Sequence, residues 1–134
     1  MSEDTMSEGA GPPESEPAIR VVMMPRDTNA AGTIFGGVIL SHLDLAAAIE
    51  AHKHHQGMVV TVAMNQVEFK QPVHVGDLVS FFTETVKVGR TSVQTRVCVW
   101  AQRRFGDGGH IPVTEAHVTM VAVDSDGHPT PLAD

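Results

Sequence analysis

The stretch from Gly37 to about His54, "GVILSHLDLAAAIEAHKH", constrains this chain more than any other part of it. Its helix formers spread Val38, Ile39, Leu40, Leu43, Leu45, Ala46, Ala47 and Ile49 around almost the whole circumference of an α-helix, leaving no wide face for water. Such a helix is buried on most sides, so the rest of the chain has to supply the wrapping. Lys53, His54 and His55 crowd its expected C-terminus, where cations suit the negative end of the dipole, and Gly57 stands where the helix is expected to end.

The wrapping reads as strands. "AIRVVMM" (18 to 24) is short, apolar and stopped by Pro25. "MVVTVAMNQVEF" (58 to 69) alternates through Val60, Val62 and Met64 and then changes phase to Val67 and Phe69, which predicts a bulge or bend in one long strand. After the connection "QPVHVGD" (71 to 77) come "LVSFFTETVKV" (78 to 88), a turn at Gly89-Arg90, and "TSVQTRVCVWAQRR" (91 to 104), half-buried by its alternation. "FGDGGH" forms a loop and "PVTEAHVTMVAV" (112 to 123) the last strand. One helix followed by strands joined directly to strands is an α+β pattern, with a mostly antiparallel five-stranded sheet around the helix.

A chain of 134 residues suits one domain with a core of its own. The domain is expected over 18–127, with a disordered acidic, proline-bearing tail over 1–17 and a short C-terminal tail over 128–134. A net charge of −7 does not suit a surface that must neutralise phosphates, so no nucleic-acid partner is expected. Lone Cys98, the lack of a basic start with an apolar core, and the lack of an apolar run of about 18 residues predict a cytoplasmic protein with no membrane partner.

Within this frame one carboxylate, Asp44, stands among leucines and alanines, with a carboxamide, Asn29, fifteen residues upstream. The pair Gly36-Gly37 at the helix start offers backbone N–H groups and the positive end of the helix dipole, which suit a developing oxyanion. Gly37 and Asp44 are about two turns apart, so both can face one side of the helix. A carboxylate so placed serves as a general base toward water or as a nucleophile, and the sequence leaves both open. Each residue also has a plain structural reading: Asp44 as a solvent-facing or Arg-paired carboxylate, Asn29 as a turn or cap residue, Asp27 as a loop cap, and the glycine pair as a loop end.

Four segments in order, "PRDTNAAGTIFGG", "VILSHLDLAAAIEA", "VEFKQPVHVGD" and "GRTSV", resemble the hotdog-fold acyl-CoA thioester hydrolases, a group that includes small bacterial acyl-CoA thioesterases and mammalian cytosolic acyl-CoA hydrolase. The resemblance spans residues 18 to 124. It implies a hotdog fold, hydrolysis of acyl-CoA to free CoA and a carboxylic acid, and no cofactor beyond the CoA of the substrate. It also implies a catalytic pair, Asn29 and Asp44, with Asn29 supplied by the partner subunit of a homodimer whose active sites are shared, and a trimer of such dimers as the hexameric assembly. Ala46 and Ala47 stand where such enzymes often carry glycine, a departure that bears on how closely substrate or a neighbouring subunit approaches.

For the CoA portion the candidates are Gly36 and the turn Gly89, Arg90, Thr91 and Ser92, whose amides and hydroxyls suit a pantetheine arm, with Arg90, Arg103 and Arg104 as candidates for the phosphates. Two alternatives stand beside the thioesterase: an enoyl-CoA hydratase of the same fold, whose customary Asp-His pair is missing, and a non-catalytic acyl-CoA-binding module, which would not need both Asn29 and Asp44. No metal is expected. Of His52, His54 and His55 only the first and last share a helix face, and no acidic ligand accompanies them. His42 is assigned to packing, and Cys98 lacks an activating neighbour.

Overall fold

The computed structural model describes residues 11–133. It contains β1 (Ile19–Val22), a 3₁₀ turn at Pro25–Asp27, helix α1 (Gly36–Ala51), β2 (Val59–Asn65), β3 (Leu78–Val88), β4 (Ser92–Gln102) and β5 (His110–Ala122). The strands form one five-stranded sheet in the order β1-β3-β4-β5-β2, every neighbouring pair antiparallel. α1 lies against one face, where Ile39, Leu43, Ala46, Ala47 and Ala51 meet Val79, Phe81, Val93, Val97, Val99, Ala116 and Val118 in one core. The α+β architecture, the helix and all five strands therefore stand as the sequence predicts. No helix among the described residues is long and apolar enough to cross a membrane.

Several details differ. The helix ends at Ala51, and the chain runs on to His54 through tighter bonds, Lys53 N–H to the Glu50 carbonyl and His54 N–H to the Ala51 carbonyl. The helix is also not enclosed all round: Leu45 and Ile49, one turn apart with Ser41, form an exposed stripe. Ala46 and Ala47 are wholly buried against the sheet, so they bear on packing between helix and sheet.

β2 stops at Asn65 because Gln66 adopts a left-handed backbone, φ 63°, which breaks the ladder to β5. The bulge falls earlier than the change of phase suggests, between Thr61 and Ala63. Residues 67–69 thus leave the sheet, although the Thr114 hydroxyl still donates to the Glu68 carbonyl at 2.7 Å and Lys70 N–H to the Val113 carbonyl at 2.8 Å.

β4 buries both faces toward its end. On the side away from the helix Phe82, Cys98 and Trp100 form a second small cluster, and Pro12 and Pro13 line a shallow groove over Phe82 and Trp100. Of the tail expected to be disordered, residues 1–10 lie outside the described residues, and 11–17 form neither helix nor strand.

Two buried carboxylates brace the frame. Asp77 accepts from Arg103 Nη1 at 2.8 Å and from His74 N–H at 2.9 Å, and the same guanidinium donates to the Pro72 carbonyl at 3.0 Å. Glu50 accepts from the hydroxyls of Thr83 and Thr85, at 2.9 and 2.6 Å, and pairs with Lys53 at 2.9 Å. Burial by itself pushes the Glu50 carboxyl up, but the Thr85, Lys53 and Thr83 donors outweigh it and hold the group below its ordinary value of 4.5.

A depressed carboxyl stabilises the fold above its unfolded value and loses that contribution as pH falls through the folded value. Glu50→Gln is accordingly expected to lower stability near neutral pH by about 1–2 kcal/mol, and to flatten the loss of stability below about pH 4.5. Urea titrations of both proteins between pH 7 and 3 check this; parallel pH profiles would contradict it.

Candidate active site

α1 begins without a side-chain cap, its N-cap Phe35 being extended, so the first-turn amides of Gly36 and Gly37 keep their hydrogen-bonding capacity. The double glycine has a steric reason as well. A Cβ on Gly36 would come within 2.7 Å of the Phe69 ring, and one on Gly37 within 2.6 Å of the Phe35 ring. Both aromatic rings therefore seat directly on the helix start.

Asn29 sits in the loop before the helix. Its carboxamide oxygen accepts from Ala31 N–H at 2.9 Å and Thr33 N–H at 3.2 Å, and its nitrogen donates to the Thr33 hydroxyl at 3.1 Å. Gly32, at φ +90°, lets the loop turn back so that Asn29 N–H reaches the Thr33 carbonyl. The turn reading of Asn29 is thus realised within the chain, yet the residue is exposed and stands on the rim of a 320 Å³ cleft shared with Gly36. Asp27 is the loop cap the sequence suggested: its carboxylate accepts from Met24 N–H at 2.9 Å.

Asp44 does not line that cleft. Eight residues beyond Gly36, about 12 Å along the axis, it is half-buried and receives the Thr61 hydroxyl on Oδ1 at 2.6 Å. Neither a solvent-facing carboxylate nor an arginine pair, it is held by the edge strand β2 next to the bulge. Thr61 is the residue that sequence reasoning missed: within an alternating strand it resembles any other polar position, and only the register to the helix distinguishes it.

The turn proposed for CoA lies elsewhere. Ala122 N–H donates to the Thr91 carbonyl and Leu132 N–H to the Arg90 carbonyl, which ties Gly89, Arg90, Thr91 and Ser92 to the end of β5 and the C-terminal segment. That is the end of the sheet by the helix C-terminus, where His54 meets Thr85 at 2.9 Å, some 24 Å from Gly36 for a sixteen-residue helix. Gly36 and this turn are therefore not brought together within one chain. Arg90 and Arg104 are exposed, whereas Arg103 is held by Asp77 and Pro72 and is not available to a phosphate.

The histidines are occupied singly. His42 stacks on Phe81 with ring centroids 5.7 Å apart; His52 contacts the His55 carbonyl, and His55 accepts from Ala133 N–H. Among the described residues, one group offers three clustered ligand atoms, exposed Asp124, Asp126 and His128 in the turn after β5. There Asp124 already accepts from the N–H groups of Asp126 and His128.

A family model for the thioesterase superfamily matches residues 31–104. The acyl-CoA thioester hydrolase YciA of Salmonella typhimurium is 42% identical over 122 residues, covering 90% of this chain and 92% of its own. Among solved structures, the hexameric hotdog-fold thioesterase Cj0915 of Campylobacter jejuni superposes with a TM-score of 0.84 at 47% identity, over 89% of this chain and 91% of its own. HI0827, a hexameric broad-specificity acyl-coenzyme A thioesterase, superposes with a TM-score of 0.87 at 36% identity, over 97% and 89%.

Proposed function

This chain belongs to the thioesterase superfamily and is a hotdog-fold acyl-CoA thioester hydrolase, and from that premise we propose that Asp44 is its general base. The observation that carries the assignment is the bond from Thr61: with Oδ1 taken by that hydroxyl, Oδ2 is left to receive a proton from water. Water attacks the thioester carbonyl carbon as Asp44 takes its proton. The carbonyl oxygen gathers charge near the Gly37 amide and the positive end of the helix, with Asn29 orienting water or substrate. Collapse breaks the carbon–sulfur bond and releases the carboxylic acid and CoA thiol, the proton returning from Asp44 to sulfur or to solvent.

Asn29 lines one cleft and Asp44 stands two turns away beside the sheet edge. Leu45 and Ile49 on the helix, with Val60 and Val62 on β2, leave apolar surface at that same edge. We therefore assign the working unit as a homodimer joined there, each site combining Asn29 of one subunit with Asp44 of the other, and a trimer of these dimers as the whole assembly. The Gly89–Ser92 turn and Arg90 would then hold the pantetheine arm and phosphates of a CoA bound to a neighbouring subunit's cleft, since their own helix start lies at the far end. The same turn supplies backbone amides in a tight hairpin, Gly89 N–H donating to the Ser92 carbonyl at 2.8 Å.

A panel of acyl-CoAs with a free-thiol readout tests the activity. Stoichiometric release of CoA thiol and acid from saturated acyl-CoAs is expected. Water addition to enoyl-CoA without thiol release would favour the hydratase, and tight binding with no turnover the binding module.

A further inference from the structure

We propose that the segment Thr130–Ala133 is a brace that sets the Gly89–Ser92 turn for the nucleotide end of acyl-CoA, and that buried His55 is the latch fastening this brace to the end of the helix. This rests on the reading of the turn given above and adds the residues that position it. His55 touches neither substrate nor reacting atoms and is a positioning residue.

The turn is a hairpin tip with little of its own to hold it. Its closing bond runs from Gly89 N–H to the Ser92 carbonyl at 2.8 Å, β3 is bulged between Thr85 and Lys87 just before it, and Val86 and Val88 are each 49% exposed. The Arg90 carbonyl takes no part in that closing bond and accepts instead from Leu132 N–H at 3.0 Å. Leu132 packs its side chain against the main core, and Thr130 N–H donates at 2.9 Å to the carbonyl of Ala122, whose own N–H reaches the Thr91 carbonyl at 2.8 Å. Arg90 and Thr91 are thus both anchored from outside the hairpin.

The next residue fastens to the helix. Ala133 N–H donates to His55 Nδ1 at 3.0 Å, and the Ala133 carbonyl accepts from Gln56 N–H at 3.1 Å, so one short piece of chain spans the turn and the end of α1. His55 is 7% exposed, with its carbonyl held by the His52 ring at 3.0 Å. To accept at Nδ1 the neutral ring carries its proton on Nε2. A Cβ on Gly57 would come within 2.8 Å of that Nε2, so the chain passes the ring closely enough to need glycine.

Recognition of phosphate by a guanidinium depends on where its backbone sits, because the paired bonds have a fixed geometry. A turn fixed in advance loses little further freedom when ligand binds. The brace therefore acts on affinity for the nucleotide end and not on the chemistry at Asp44.

The test compares butanoyl-CoA with butanoyl-pantetheine, which has the same thioester and no nucleotide, and measures the Kd of S-butyl-CoA, a thioether that lacks the carbonyl and cannot be hydrolysed. His55→Phe, which keeps a ring but offers no acceptor, and a chain ended at Pro131 are each expected to raise KM for butanoyl-CoA and Kd for S-butyl-CoA about fivefold or more. Hydrolysis of butanoyl-pantetheine, and kcat for butanoyl-CoA, should stay within about twofold of wild type. His55→Asn, whose side-chain oxygen can take the Ala133 N–H in place of Nδ1, should restore most of the affinity. If His55→Phe does not fold, the shortened chain gives the answer. Arg90→Ala separates the brace from the site it serves, and should show the same loss confined to CoA ligands. If Arg90→Ala shows that loss while the folded latch variants stay within about twofold of wild type, or weaken the CoA and pantetheine thioesters equally, the brace is overturned and the turn remains the CoA site. If Arg90→Ala and the latch variants all bind S-butyl-CoA as wild type does, the turn is not a CoA site and the brace falls with it.

Discussion

Asp44→Asn is expected to lower kcat/KM for acyl-CoA hydrolysis by about 10³-fold, within the range that loss of a general base produces. The substitution keeps the shape of the side chain and an oxygen for the Thr61 hydroxyl, now 2.6 Å from Asp44 Oδ1, so the brace between α1 and β2 survives. What it removes is the capacity to take a proton from water. Thermal unfolding and assembly size should match wild type, and thioether-CoA should bind as before, which separates lost chemistry from lost structure. Near-normal turnover in a folded Asp44→Asn protein would remove Asp44 from the mechanism and leave Thr61-Asp44 as a structural contact.

Mixing two inactive proteins should restore activity. Asn29→Ala and Asp44→Asn chains, dissociated together at equal concentration and reassociated, pair at random across a two-fold interface. About half of the dimers then contain one chain of each kind, and each of these rebuilds one intact site, giving about a quarter of wild-type activity from two preparations that separately have almost none. The expectation follows from the separation within one chain, where Asn29 and Gly36 line a cleft that Asp44 does not reach. Exchange has to be verified independently, by mass or by a tag carried on one variant. If exchange is complete and activity stays at the level of the separate variants, the two residues act within a single chain and the apolar edge at Leu45, Ile49, Val60 and Val62 serves packing alone.

Much of the molecule was legible in the sequence because periodicity is local. The apolar run after Gly37, the alternation in β3 to β5 and the punctuation by Pro25 and Gly89 act over a few residues, and each element forms in the predicted order, although the helix stops at Ala51 and β2 at Asn65, short of where the pattern carries them. The pairing of Asn29 with Asp44 as a candidate site came from spacing, a double glycine and resemblance, all of them features of the linear chain. Tertiary structure decided whatever depends on register between distant segments. Thr61 meets Asp44 across 17 positions, Arg103 meets Asp77 across 26 and Thr83 meets Glu50 across 33, and no local pattern marks such partners. The same register exposes Leu45 and Ile49 on a helix that looked enclosed, because one curved sheet face can cover only one side of a cylinder. It also sets the Gly89–Ser92 turn at the opposite end of the helix from Gly36, since antiparallel strands as long as β3 carry each hairpin the full length of the sheet away from the previous connection.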